Sequence, residues 1–445
     1  MAILTEEEAR AIVEGVMDVA TADETSVALA SRSGGNVRFA NNGVTTSGEV
    51  EDVSVHVTAA FGTRRGTAES NGVDRAALVE VVRRAEEAAR LAPEDPEHVP
   101  ALDPVAYPSP DGYYEATETY GPSERAAAAA AAIEAARGHE TLLAGFLENY
   151  AFGLATANSK GLFGYHPETL LEYTNTARTP DGRGSGWGGV RLHDAAALDA
   201  AARARIAAEK ARASREMRPL EPGDYPVILE PTAVAVMAGA LVGAMDARRA
   251  MEGRSYLSAP GGATKLGEKL LADIVTIETD PMNPDVAGRP WSSEQLAARR
   301  TVWFDQGVVR ALQYDRYWAE NNDVEPVPNS TNLILHGQDA SLEELIRDAD
   351  RAVLVTRFWY IRPLNPRDLT LTGLTRDGTF WIEDGEIRYA VNNFRWNESP
   401  VRFFAAAQAM TRPERVADED WVVSPSWVPA VRASSFHFAS VSQAV

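Results

Sequence analysis

The chain has 445 residues, 45% of them hydrophobic and none of them cysteine, so it can bury a core without staples, and disulfides, thiolate nucleophiles and thiolate metal sites are excluded. Asp and Glu number 64 against 43 Lys and Arg, and the resulting charge of −21 repels phosphate backbones, which argues against nucleic-acid binding. There is no apolar run of about 18 residues, and the opening MAILTEEEARAIVEGV lacks a basic stretch followed by an apolar one; the expectation is a cytoplasmic protein with no membrane span and no secretory leader.

Thr5 and Glu8 have the spacing of a helix capping box, and an apolar-periodic helix follows to about Val19. Strand-like runs come next at 25–31, 37–40 and 51–59. The last alternates Val53, Val55 and Val57 against Ser54, His56 and Thr58, the pattern of a half-buried strand. Gly62-Thr-Arg-Arg-Gly66 reads as a hairpin turn, and a helix over roughly 75–91 closes a first α/β part, 1–92. Six prolines between Pro93 and Pro110 predict an extended connector over 93–122, because proline lacks an amide donor and disfavours helix in the residue before it.

A middle α/β segment, 123–215, completes this N-terminal domain. It holds a helix near 123–137, strands near 141–157 and 168–178 separated by a turn at Asn158–Gly161, and a charged helix near 195–215. Gly184, Gly186, Gly188 and Gly189 imitate a phosphate loop only superficially, since no Lys-Ser/Thr follows; a flexible loop is expected there. The C-terminal part, 216–445, opens with a strand, Tyr225–Leu229, and an apolar helix over 232–245. Hairpins around Asp305–Gly307 and Glu383–Gly385 follow, and Ser341 and Glu344 cap a short helix between them. The fold class is α+β: an N-terminal α/β domain, then a larger β-rich domain built as a barrel or layered sheets.

The seven histidines are never closer than 27 residues, so the two imidazoles one helical turn apart that a zincin helix needs do not occur. A serine nucleophile elbow is missing too, because the glycines of Gly184-Ser185-Gly186 touch the serine directly. Two charged clusters remain. Asp246, Arg248 and Glu252 follow the apolar helix and read either as a salt-bridged helix end or as a rim that binds a peptide terminus. Thr356–Arg362 places arginines around aromatics on a strand; alternation would put Arg357, Trp359 and Ile361 on one face and Phe358, Tyr360 and Arg362 on the other. That second cluster reads as a pocket or as a buried ion pair.

Several stretches resemble the TldD/TldE (PmbA) metallopeptidase family, in order along essentially the whole chain. They are Val37-Arg-Phe-Ala-Asn-Asn42, Gly62-Thr-Arg-Arg-Gly66, Ala89-Arg-Leu-Ala-Pro93-Glu-Asp-Pro96, Ala157-Asn-Ser-Lys-Gly161 and Gly223-Asp-Tyr-Pro-Val-Ile-Leu-Glu-Pro231. Later come Arg299-Arg-Thr-Val-Trp-Phe-Asp-Gln-Gly307, Leu371-Thr-Gly-Leu-Thr-Arg-Asp-Gly378 and Phe380-Trp-Ile-Glu-Asp-Gly-Glu-Ile387. The resemblance implies a catalytic member with His-Glu-x-x-x-His on the helix after the strand ending in proline, plus a later cysteine ligand, and a partner lacking both. Counted from Pro231, that motif falls on Gly239-Ala-Leu-Val-Gly-Ala244, with Gly239, Ala240 and Ala244 in place of its His, Glu and His.

The resemblance therefore implies a TldE-like, zinc-free chain with no catalytic residue and no metal ligand of its own. It would pair with a zinc-bearing TldD-like homologue, or with itself when alone, and shape a channel for extended, unfolded peptides. Asp246, Arg248, Glu252, Arg357, Tyr360 and Arg362 are the candidate substrate-binding residues. Two alternatives stand beside this reading: a metal-free member with its own biosynthetic activity, using Asp246 and Glu252 as acid and base, and a peptide- or protein-binding modulator of the gyrase-modulator type.

Overall fold

The computed structural model describes residues 3–417, 421 and 425–442. Helix α1 (Glu6–Met17) starts on the expected capping box: the Thr5 hydroxyl accepts from the Glu8 amide and the Glu8 carboxylate accepts from the Thr5 amide. Strands β1 (Glu24–Ala40), β2 (Gly43–Phe61) and β3 (Arg64–Ser70) form a meander, followed by helix α2 (Arg75–Leu91). The runs read separately at 25–31 and 37–40 are one strand. Gly34 and Gly35 lie between them, where a Cβ would sit 2.0 Å from the Asn149 carbonyl oxygen and 2.5 Å from that of Gly48. The glycines admit neighbouring strands on both sides rather than ending the element. Asn41 and Asn42, both at positive φ, make the tight turn into β2.

The proline-rich connector carries neither helix nor strand over 93–114. It is nonetheless anchored: Asn158 Nδ2 donates to the Leu102 carbonyl (2.9 Å) and Tyr107 Oη to that of Gln295 (2.8 Å). After α3 (Glu115–Glu118) and α4 (Pro122–Gly138), strands β4 (Leu142–Asn158), β5 (Phe163–Arg178) and β6 (Ser185–Leu192) complete one antiparallel sheet of order β3-β2-β1-β4-β5-β6. Helix α5 (Ala200–Ala213) packs on its far end.

The glycine-rich run is thus strand β6 and not a flexible loop. A Cβ on Gly186 would lie 2.1 Å from the Ala207 carbonyl oxygen, and one on Gly188 2.4 Å from that of Arg203. These glycines let α5 press onto the strand backbone, a packing role that a loop reading misses.

All helices of this part cover one face of the sheet. Val27, Leu29, Val55 and Val57 pack under α1 and α2; Val37, Leu143, Leu147 and Tyr173 pack under α4 and α5. Because side chains alternate along a strand, the even-numbered residues of β1, β4 and β5 line the opposite, largely polar face.

Strand β7 (Gly223–Leu229) leads into helix α6 (Pro231–Gly243). Strands β8 (Ile277–Thr279), β9 (Thr301–Asp305), β10 (Val308–Val309) and β11 (Leu333–Leu335) follow. Then come β12 (Arg351–Asn365), β13 (Thr370–Glu383), β14 (Glu386–Ala390), β15 (Phe394–Glu398), β16 (Ala407–Met410), β17 (Glu414–Arg415), β18 (Ser426–Val428) and β19 (Val431–Val441).

A second sheet has the order β10-β9-β8-β11-β18-β17. In the third set, β7 pairs with β12 and β19, β13 with β12 and β15, and β15 with β19. That ring of pairings closes a five-stranded barrel, which leaves those strands no open edge. Phe358, Trp396, Phe436 and Phe438 fill it, with Phe358 and Trp396 centroids 4.5 Å apart and Phe436 and Phe438 5.1 Å apart.

Helix α6 lies between the barrel strands β7 and β12 and the second-sheet strands β11 and β18, with Thr232 to Val242 all buried. An apolar surface all the way round is what a helix covered on both sides requires. Since Phe436 touches Phe358, Trp396, Phe403 and Phe438, Phe436→Ala should cost about 3–5 kcal/mol of stability. A urea titration reads this as a lower midpoint with an unchanged slope; an unshifted midpoint would deny the ring its role as the barrel core.

Candidate functional site

The segment where the resemblance places a metal motif carries only small apolar side chains. Gly239 and Ala240 are buried in α6 and Ala244 follows its last turn, so none of the three offers a nitrogen, oxygen or sulfur donor. The carbonyls at that helix end are taken by protein donors: Tyr256 Oη to Leu241 (3.1 Å) and Gln313 Nε2 to Val242 (3.3 Å). Among the described residues, no group of three His, Cys, Asp or Glu side chains converges as a metal site would require. The residues do not fit a zinc ion. His56, His98, His336 and His437 each face a carboxylate: Glu69, Glu24, Glu278 and Asp224.

The chemistry instead collects on the polar face of the first sheet, where the C-terminal part leans over it and leaves a series of clefts. The first, about 540 Å³, has Ser26, His56, Thr58 and Thr156 as its floor, with the connector on one side and Trp291–Gln295 on the other. Its His98 Nε2 lies 3.6 Å from the Glu24 carboxylate. Glu97 lines this cleft and takes a two-pronged contact from Arg248 (2.7 and 2.9 Å), which places Arg248 at the rim. Asp246 caps the short helix Ala247–Met251, accepting from the Arg249 amide (2.7 Å), and Glu252 pairs with Arg248 and Arg254. Of that cluster, only Arg248 is tied to a cleft wall; Asp246 and Glu252 hold local structure.

The second cleft, about 370 Å³, is lined by Glu168, Arg191, His193, Arg289 and Trp291. Arg289 donates to Glu168 from Nε (3.1 Å), and His166 Nε2 lies 3.8 Å behind the same carboxylate. Burial alone would raise the Glu168 carboxyl, but the Arg289 guanidinium outweighs it and holds the group below its ordinary value. Burial also lowers His166 and His193, which stay neutral more readily than in water.

The third cleft, about 460 Å³, brings Arg178, Arg357, Trp359, Arg376 and Asp377 together between the end of β5 and the β12–β13 hairpin. Arg357 Nε is 3.4 Å from the buried Asp377 carboxylate, so pocket lining and ion pairing coincide at this residue. The expected alternation along 357–362 fails at Tyr360. Its φ of 56° belongs to a bulge between Trp359 and Arg362, so Trp359 and Tyr360 are both exposed while Phe358 and Ile361 are both buried. Tyr360, in the bulge, stacks with Arg362 just past it; both are exposed and line none of these clefts. Sequence reasoning missed Glu168, His193, Arg289 and Arg376. The available signal is the alternation of His166, Glu168, Leu170, Glu172 and Thr174 along β5, whose first five residues lie outside the expected strand.

Two known domains match the chain: PmbA/TldA metallopeptidase domain 1 over residues 10–89 and the PmbA/TldA metallopeptidase C-terminal domain over residues 222–440. The chain belongs to the PmbA/TldD metallopeptidase family. It is 26% identical over 264 residues to a metalloprotease of Methanothermobacter thermautotrophicus, a match covering 54% of this chain and 55% of that one. It is 25% identical over 173 residues to the metalloprotease PmbA of Escherichia coli O157:H7, covering 38% and 36%. The chain thus spans about half and about a third of these relatives' lengths.

Solved structures with the same fold include TldE from Thermococcus kodakarensis (TM-score 0.85, 18% identity, 97% of this chain and 99% of that one). A Thermotoga maritima protein described as a candidate modulator of a DNA gyrase is similar too (TM-score 0.84, 17% identity, 97% and 100%).

Glu168 and His166 each bind fewer protons folded than unfolded, so both make the fold less stable as pH falls. His166 acts first, below its unfolded value of about 6.5; Glu168 acts below about 4.5. The urea midpoint of the wild type should therefore drop between pH 7.5 and 5.5, and His166→Gln should drop less. An equal drop in both proteins would remove His166 from this account.

Proposed function

We propose that this chain is the zinc-free half of a TldD/TldE-type peptidase pair, and that its polar sheet face forms part of the wall along which an extended peptide lies. One observation carries the reading: α6, where the resemblance places the family's metal helix, is an apolar helix buried between two sheets, while the first sheet keeps a polar face lined by clefts. Metal and hydrolysis would come from a zinc-bearing homologue, whose ion would polarise the scissile carbonyl and activate water. This chain would supply main-chain and side-chain contacts that hold the peptide extended. The alternative in which Asp246 and Glu252 work as acid and base loses support, because one caps a helix and the other is held by two arginines.

Co-expression with the zinc-bearing homologue of the same genome, with the tag on this chain, tests the proposal. The expected result is a purified complex that holds stoichiometric zinc and cuts an unfolded peptide, and a lone chain that does neither. Zinc or cleavage from the lone chain, or no association with the homologue, would overturn it.

A further inference from the structure

The tip of the β12–β13 hairpin leaves apolar and cationic side chains uncovered. Trp359, Tyr360 and Leu364 stand 41%, 49% and 53% exposed, and each residue from Arg362 to Asp368 is exposed. An apolar patch of this kind marks an interaction site, and Trp, Tyr and Arg are the side chains that concentrate binding energy in one. The tip is also held in shape. The Ser399 hydroxyl donates to the Asp368 carbonyl, and the Arg367 amide donates to the Asn365 side chain (3.1 Å), so little order is lost when it binds. Arg362 rests 4.4 Å from the Tyr360 ring centre and donates to the Ile361 carbonyl (2.7 Å). Among the described residues, neither Arg362 nor Arg367 has a carboxylate in ion-pair contact.

The first cleft carries the opposite charge. Its Glu24, Asp95, Glu294 and Asp315 accept from the amides of Ala101, Glu97, Arg316 and Trp318. No Lys or Arg side chain among the described residues is in ion-pair contact with these four. Arg65 and Arg316 share the lining, but the Arg316 guanidinium donates to the Pro100 carbonyl. Burial raises the Glu294 carboxyl; the Arg316 amide opposes this and Asp315 adds to it.

We infer that the hairpin is a self-association element: in a pair of copies of this chain, the tip of each enters the first cleft of the other, with Arg362 and Arg367 against its carboxylates. Two copies at −21 repel at long range, so a stable pair needs a place where opposite charges meet. The cleft, about 540 Å³, has the size that seats a small ligand, and its Trp291 and Tyr317 offer rings to the apolar half of the tip. The hairpin cannot serve its own chain. Trp359 lies with Asn41, Leu142 and Arg178 at one end of the first sheet, while the first cleft lies over Glu24 and Thr156 at the other. Strand β1 runs between those ends, roughly 50 Å at about 3.3 Å per residue. A two-fold axis across the middle of that sheet would bring each hairpin to the other copy's cleft, and two identical contacts would close the pair. The inference needs no zinc-bearing homologue, so it stands or falls apart from the peptidase-pair reading.

Sedimentation velocity of the full chain alone tests it. The wild type should dimerise, and less tightly as salt is raised, because charges at the contact are screened. Arg362→Glu with Arg367→Glu, both at exposed positions, should weaken the dimer about tenfold or more while leaving the circular dichroism spectrum unchanged. The absence of cysteine makes the contact traceable as well. A chain carrying Tyr360→Cys, mixed with one carrying Ser293→Cys in the cleft lining, should be joined by a short bismaleimide, and mass spectrometry should find position 360 linked to position 293. A wild type that stays monomeric at every salt concentration would overturn the inference. So would a dimer indifferent to the double substitution, or introduced thiols that each react with a simple maleimide yet never link 360 to 293.

Discussion

The C-terminal part of the molecule depends on the burial of one helix. Helix α6 is rich in Val, Ala and Gly, a composition with little helical preference beyond its alanines. Isolated in water, so short a segment would not hold. It persists because the barrel closes over one side and the second sheet over the other, and its small residues let both approach. That constraint also governs its chemistry. A glutamate or a charged imidazole in this dry layer would face a desolvation penalty of several kcal/mol without a partner. At the end of the helix, Tyr256 and Gln313 donate to the Leu241 and Val242 carbonyls, so these acceptors too are met by protein donors.

The first sheet solves the opposite problem. Its helix-covered face is packed with aliphatic side chains, and its other face carries ionisable groups that must stay hydrated or paired. Long strands make this separation clean, because every second residue of β1, β4 and β5 repeats the same choice over some sixteen or seventeen positions. The connector then does two jobs with one stretch of chain. It links the two halves of the N-terminal domain, and with Glu97 and His98 it walls the first cleft. Its prolines leave it extended, and the Asn158 and Tyr107 hydrogen bonds fix where it runs.

Much of this architecture was legible in the sequence where a signal was local. Capping boxes at Thr5 and Ser341, the turn residues at Gly62 and the extended connector all appear as expected. What escaped depended on distant partners. Gly34, Gly186 and Gly188 look like breakers until the strand or helix pressed against them is known. The Tyr360 bulge reverses the facing of its neighbours, and nothing in Phe358-Trp-Tyr-Ile361 announces it. The clefts assemble Glu168 with Arg289 and Arg357 with Trp187, pairs more than a hundred residues apart that no spacing rule connects. Arg248 and Arg357, singled out because each sits in a dense charged or aromatic run, fall at or beside cleft walls, whereas Arg178 has no such run around it.

Net charge also proves a poor guide to local charge here. The −21 balance is carried largely by exposed helices and turns, where pairs such as Arg83 with Glu80 and Glu87 are solvated and worth little. At the domain junction guanidiniums lie against rings as well as beside the buried Asp377 carboxylate, and the field of such a group acts at short range, because salt screens it beyond about 10 Å. The acidic exterior therefore sets how the whole molecule meets a polyanion and does not fix the charge that is met inside a walled cleft.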